Sequence, residues 1–278
     1  MEVSDVVRTA AAGVHVDIDR YLARIGYDGP LGVNRDTLEA LQRAHMTAVP
    51  FENVDVYAGV PVRTGTDWSL PKVVDRGRGG WCFELNGAFG ALLGAIGFRV
   101  LYLAAAVVLR GPTDVVDHLT LEVLLDDGPY LVDVGFGDGP GRPLALNRSG
   151  LQDGLVANFE LVRGAQAITL VRHEGATPAP QYRFRRVAVT LDALEPASQR
   201  LQADHTMIWH ARAFASRLVD GGPGRISLLG RTLRRTAPDG SVADTPVADR
   251  AWADVLKAHF GIRVELDEPP ERGNTIVR

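Results

Sequence analysis

The sequence predicts an α+β protein in three parts: an N-terminal helical bundle over residues 1–97, a central antiparallel β-barrel over 98–204 and a C-terminal α/β lid over 205–278. Two observations carry this. Apolar residues recur at helical spacing up to about residue 97, and from Phe98 the period drops to two, with turn signals between the runs. After about residue 205 both patterns mix, which sets off the lid. With 278 residues and a hydrophobic fraction of 46%, the chain can bury a sizeable core, so wholesale disorder is excluded.

Each element follows from local chemistry. Ile18, Tyr21, Leu22 and Ile25 make one helical face, and Gly26 supplies its stop. Asp36-Thr37-Leu38-Glu39 reads as a capping box that opens a second helix, whose apolar stripe begins at Leu38 and Leu41 and which ends near Pro50. A third helix is expected from Cys82 to Ile96, with Leu85, Phe89, Leu92, Leu93 and Ile96 inward and Gly97 beyond its end. Phe98 to Leu109 reads as a strand. His118 to Leu125 alternates, with His118, Thr120 and Glu122 on one face. Asp126-Asp127-Gly128-Pro129 marks a turn, and Tyr130 to Phe136 is the expected return strand. Further strands are expected within 157–172 and 181–191. In the lid, Phe214 to Val219 is ambiguous, Arg225 to Thr236 reads as a hairpin broken at Gly230, and Trp252 to Phe260 as a helix ending at Gly261.

Composition narrows the function. The chain carries 30 basic and 34 acidic residues, a net charge of −4, which argues against nucleic acid as the main partner. The opening Met1-Glu2-Val3-Ser4-Asp5 has no basic stretch followed by an apolar run, and no apolar run reaches about 18 residues, so neither a leader nor a spanning helix is expected. The chain is expected to be cytoplasmic and to have no membrane partner. A single cysteine, Cys82, excludes an internal disulfide and a cysteine-rich zinc site, and the histidines are scattered, so no metal is expected.

Cys82 sits in Arg78-Gly79-Gly80-Trp81-Cys82-Phe83-Glu84-Leu85-Asn86. Gly79 and Gly80 permit a tight entry turn and close approach of a substrate to the backbone. A cysteine in the first turn of a helix feels the positive end of the dipole, which favours the thiolate, and the free N–H groups there suit an oxyanion. A thiol nucleophile needs a base, and the base an orienting group. Among seven histidines, His118 stands out because a hairpin returns Asp133 toward its face. A two-residue loop at Asp126-Asp127 pairs Leu125 with Gly128 and puts Asp133 diagonal to His118, about 7–8 Å away. A four-residue loop puts it directly opposite, and an odd-length loop puts it on the wrong face.

These residues resemble the arylamine N-acetyltransferase family. The Arg78–Asn86 segment is similar to that family's active-site motif, Pro50-Phe51-Glu52-Asn53 to its upstream motif, and Tyr130–Gly137 to the segment carrying its triad aspartate. The resemblance is strong from about Tyr21 to Leu146. It implies a cysteine-proteinase-like core and a Cys82-His118-Asp133 triad. It also implies acetyl-CoA as co-substrate with no bound cofactor, and ping-pong transfer through an acyl-cysteine to aromatic amines, hydrazines or N-hydroxyarylamines. Arg78, Glu52 and Asn86 match positions that brace the site, with an Arg78–Glu52 ion pair expected. Phe51, Phe136, Trp209 and Phe214 are candidates to line the acceptor pocket, and Arg212 and Arg217 to meet phosphates. Two other readings fit the same triad: an amide synthase of the ansamycin type, fed by a carrier protein, and a thiol hydrolase. Nothing in the sequence marks an oligomeric state.

Overall fold

The computed structural model describes residues 15–264 apart from 175–176, 220–221 and 223. The opening segment Met1 to Asp5, read above for a leader, lies outside the described residues.

Helix α1 (Ile18–Ile25) starts at Asp17, whose carboxylate accepts from the Arg20 N–H at 3.0 Å. It ends where Gly26 takes a left-handed φ of 66° and turns its N–H back to the carbonyls of Ala23 and Leu22. Helix α2 (Arg35–Ala48) begins earlier than the capping box predicted. Asn34 is the cap, accepting from the Thr37 N–H at 3.0 Å, and Asp36 falls inside the first turn, where its charge meets the dipole. Helix α3 (Cys82–Ile96) is buried from Cys82 to Gly90, so it is the central rod of the helical part. It closes at Gly97, with φ 116°. Tyr21, Leu38 and Leu41 join its own Phe83 and Phe89 in the main core.

The second part is an eight-stranded antiparallel sheet that curls on itself. Its strands are β2 (Arg99–Val107), β3 (His118–Leu125), β4 (Gly128–Val132), β5 (Leu144–Ala145), β6 (Leu151–Asp153), β7 (Asn158–Arg163), β8 (Ile168–Glu174) and β9 (Thr177–Val189), in the order 5-4-3-2-9-8-7-6. The two edge strands, β5 and β6, share no ladder pairing. Their seam is bridged by the buried carboxamide of Gln152, which accepts from the Ala145 N–H at 2.8 Å and donates to the Ala145 carbonyl at 3.0 Å. The architecture is a nearly closed barrel. The β3–β4 hairpin uses the two-residue loop, with Leu125 opposite Gly128. The return strand stops at Val132, four residues short of the expected Phe136, because Asp133 turns its carboxylate inward and Gly135 folds back onto α3.

The lid sheet has five strands in chain order: β1 (Phe51–Glu52), β10 (Phe214–Leu218), β11 (Arg225–Leu229), β12 (Thr232–Thr236) and β13 (Val242–Pro246). The ambiguous segment at 214 is therefore a strand. Helix α4 (Glu195–Ala203) links barrel to lid, and α5 (Trp252–Phe260) covers the lid sheet with Trp252, Leu256 and Phe260 fully or nearly buried against Ile226 and Leu228. Strand β1 comes from the helical part of the chain, with Phe51 opposite Ser216 and Glu52 opposite Ala215. None of the helices described is long and apolar enough to cross a membrane.

Candidate active site

The entry to α3 is built around two glycines that cannot be replaced freely. A Cβ on Gly79 would lie 2.0 Å from the Pro50 carbonyl oxygen, and one on Gly80 would lie 2.6 Å from Glu84 Oε2. The strand-like contact they allow, with the Glu52 N–H donating to Gly80 O at 2.9 Å, fixes the loop that delivers Cys82 to the first helical position. There the first-turn N–H groups have no partner within the helix.

Beneath this loop runs a buried chain of charges. Arg78 donates to Glu52 Oε1 at 2.8 and 3.1 Å and to Asp55 Oδ1 at 2.8 Å. Lys72 Nζ bridges Asp55 at 2.7 Å and Glu84 at 2.8 Å. Glu84 also accepts from Trp68 Nε1 and from the Trp81 N–H, so its carboxylate ties the helix start to the loop. Burial pushes the Glu84 carboxyl up and Lys72 pulls it back down, with the net shift upward. For Lys72 burial works against the charge, but Glu84, Glu52 and Asp55 together raise it above its ordinary value.

One turn along α3, Asn86 locks the other side. Its amide donates to the Leu119 carbonyl at 2.7 Å and to Asp133 Oδ1 at 2.9 Å, and its oxygen accepts from the Val134 N–H at 3.0 Å. Cys82 and Asn86 are four residues apart and so share a helix face. Asp133, fully buried, accepts in addition from the Gly135 N–H at 2.9 Å and meets His118 Nε2 at 2.7 Å through Oδ2. With Nε2 engaged, Nδ1 is the ring atom left for the thiol, and the Cys82 side chain interacts with the ring. Cys82 Sγ also lies 3.9 Å from the Asp117 carbonyl.

The electrostatics form a matched pair. Burial disfavours a charge on either partner. Against it, the Asp133 carboxylate and then Cys82 push His118 up to about 10. Asp133, despite complete burial, is held below its ordinary value by His118, Asn86 and the Gly135 N–H. The arrangement is therefore an imidazolium–carboxylate pair next to a sulfur, at the start of a helix.

Several parts of this site were not read from the sequence. Gly135 is one: a Cβ there would lie 2.7 Å from Cys82 Cα and 2.8 Å from Asn86 Nδ2, so only glycine lets the loop reach α3. The readable signal was a glycine inside an apolar run, which marks a close backbone approach. Tyr182 is another. Its ring lies 4.7 Å from that of His118 and its hydroxyl 3.3 Å from Thr120 Oγ1. Glu84 and Lys72 complete the set.

The four aromatic candidates fall into two groups. Phe51 and Phe214 lie 5.2 Å apart, Phe51 and Trp209 6.4 Å, and Trp209 stands 6.0 Å from Trp81. Phe136 is on the other side, 5.2 Å from His118 and 5.1 Å from Tyr182. A cleft of about 300 Å³ opens between barrel and lid, with Phe51, Phe214 and Gly137 among its walls. Arg217 is not in it: its guanidinium donates to the carbonyls of His259, Thr47 and Leu218 and clamps the lid to α2. Arg212 is exposed and gives its carbonyl to Asn53. A wider groove of about 1170 Å³ beside α1, α2 and α5 contains none of Cys82, His118 and Asp133.

Comparison with known proteins gives a consistent picture. The family described as N-acetyltransferase matches residues 34–268. An arylamine N-acetyltransferase of Mycolicibacterium smegmatis is 37% identical over 177 residues, 61% of this chain and 64% of that one. One from Mycobacterium bovis is 32% identical over 265 residues, 90% of each chain. The solved structure of the Mycobacterium marinum arylamine N-acetyltransferase in complex with CoA superposes with a TM-score of 0.83 at 33% identity, covering 92% of this chain and 96% of that one.

Proposed function

The chain belongs to the arylamine N-acetyltransferase family, and from that premise we propose that it moves an acetyl group from acetyl-CoA to the nitrogen or oxygen of arylamines, arylhydrazines or N-hydroxyarylamines through an acyl-cysteine on Cys82. The observation that carries the reading is the 2.7 Å contact between His118 and a fully buried Asp133, placed beside the only thiol of the sequence.

The steps follow from the geometry. With the imidazole protonated, Cys82 is held as the thiolate of an ion pair and attacks the thioester carbonyl. First-turn N–H groups of α3 steady the oxyanion. The tetrahedral intermediate collapses, the thiolate of CoA leaves, and the His118 proton goes to it. In the acyl-enzyme the Cys82 sulfur carries no charge, so one of the influences that raised the His118 pKa is gone and the ring, having given up its proton, stays neutral and free to accept another. An amine then attacks the acyl-cysteine, His118 takes its proton, and collapse releases the amide and returns the Cys82 thiolate beside the imidazolium. Arg78, Glu52, Asn86, Gly79 and Gly80 hold the nucleophile loop, and Phe51, Phe136, Trp209 and Phe214 supply aromatic walls for the acceptor. The reading assigns the work to the cytoplasm and needs no metal.

Intact-mass spectrometry tests it directly. Mixing the protein with acetyl-CoA in the absence of amine should add one acetyl group, mapped to Cys82 and discharged on addition of an arylamine. Cys82→Ala should take no label and show no turnover. A wild-type protein that stays unlabelled by acetyl-CoA but is loaded by an acyl carrier protein would overturn the CoA donor. Discharge to water at the same rate without amine would make it a hydrolase.

A further inference from the structure

The cleft between barrel and lid contains a cation that the proposed chemistry does not use. Arg225, on β11, is 8% exposed. Its Nη1 donates to Ser216 Oγ at 3.2 Å, and its Nη2 has no partner among the described residues. Its nearest carboxylate, Asp138, stands 3.7 Å from Nε, beyond hydrogen-bond length, and that aspartate is itself 63% exposed. Across the cleft, Arg172 on β8 has the same Asp138 at 3.8 Å and an unpartnered buried Nε, while its Nη2 is held by Glu174 at 2.7 Å. The third arginine of the cleft, Arg234, is spent on Asp244 at 2.7 and 2.8 Å.

A buried guanidinium with one neutral hydrogen bond is an expensive arrangement. Burial pulls the Arg225 pKa below its ordinary value; Asp138 partly offsets this and Arg172 adds to it. Apolar residues would fill the same space without that cost. What the position gains is a planar fork of donors, suited to an oxyanion. Strand alternation also places it along a substrate path. Phe214 and Ser216 are two residues apart on β10 and both face the cleft, so the guanidinium lies about 7 Å along the strand from the aromatic end.

We propose that Arg225, with Arg172 opposite, forms an oxyanion-binding subsite for the distal end of a substrate lying in this cleft. The shared chemistry is a terminal carboxylate or phosphate, displacing the loosely held Asp138. It comes either from an acidic acceptor or from a phosphate of the acyl donor. The assignment rests on the transferase reading above.

The test uses Arg225→Met in the full chain and two matched substrate pairs. The acceptor pair is para-aminobenzoate and its methyl ester at saturating acetyl-CoA. The donor pair is acetyl-CoA and acetyl-pantetheine, which lacks the nucleotide phosphates, with a neutral arylamine. The anionic member of one pair should lose about 10- to 100-fold in kcat/KM, as expected for a charge-assisted hydrogen bond, while its neutral counterpart is unchanged. Loss in the first pair assigns the subsite to the acceptor, and loss in the second to the donor. If no member changes, or all four change alike, the subsite is refuted. Unimpaired labelling of Cys82 by acetyl-pantetheine separates that outcome from a failure of the triad reading. Should Arg225→Met not fold, Arg172→Gln on the less buried side carries the same four measurements.

Discussion

The smallest unit with a testable consequence is the His118–Asp133 pair. His118 is raised, so its contribution to stability is full below its ordinary value near 6.5 and is lost as pH climbs through about 10. Asp133 is depressed, so its contribution is full above its ordinary 3.8 and is lost as pH falls through the lower, native value. Both are complete between about 4 and 6.5. The gap in Tm between the wild type and Asp133→Asn should be widest in that window and narrow toward pH 10. A gap independent of pH would refute the charged pair. The same variant should lose on the order of a thousandfold or more in kcat, because an amide holds the ring in the wrong tautomer. At this scale alternation along β3 and the turn at Asp126-Asp127 were enough to bring Asp133 within reach of His118 on paper. What could not be read was where the ladder ends. That depends on Asn86 and Gly135 pulling Asp133 out of the strand, contacts between segments 47 and 2 residues away from it in the chain.

At the scale of elements, the start of α3 is held by a chain of charges more than by its own cap. Trp81 precedes the helix without a side-chain cap, and Glu84 serves instead by reaching back to the Trp81 N–H. Lys72 is the keystone, 2% exposed and shared by Asp55 and Glu84. Lys72→Met should cost about 3–5 kcal/mol in urea unfolding, since it leaves the buried Glu84 carboxylate without its cation. A double variant, Lys72→Met with Glu84→Gln, should recover part of that loss; no recovery would mean the two are not coupled. The helix itself was readable from its apolar spacing and from Gly97. Of this scaffold only the Arg78–Glu52 pair was, because Lys72 and Glu84 look like surface residues until the loops fold over them. The same limit explains the missed cap of α2, where Asn34 competes with Asp36 and both are good caps by type.

For the whole molecule, the question is how three layers stay registered. The barrel seam has no ladder and is bridged by Gln152, helped by an Arg142–Asp153 ion pair at 2.7 Å and by the Gly141 N–H donating to the Gly154 carbonyl at 2.8 Å. Gln152→Leu keeps the volume but leaves the Ala145 N–H and carbonyl without their partner, so about 1–3 kcal/mol of stability should be lost. Amide hydrogen exchange at Ala145 should accelerate while β2 and β3 keep their protection; unchanged exchange there would show that Gln152 does not hold the seam. The change of period at Phe98 made the barrel readable, whereas its closure was not, since β5 and β6 are two and three residues long and carry no alternation to count.

Strand β1 has a practical corollary. Phe51 and Glu52 form the outer edge of the C-terminal sheet, and Glu52 anchors Arg78 beside the nucleophile loop. Anyone recombining this chain with a relative by a single crossover near residue 205 would separate the sheet from its own border strand and leave that dipeptide to match a foreign neighbour. A viable graft therefore has two exchange points, one around the Pro50–Asn53 motif and one before β10, so that the edge is inherited with the sheet it completes.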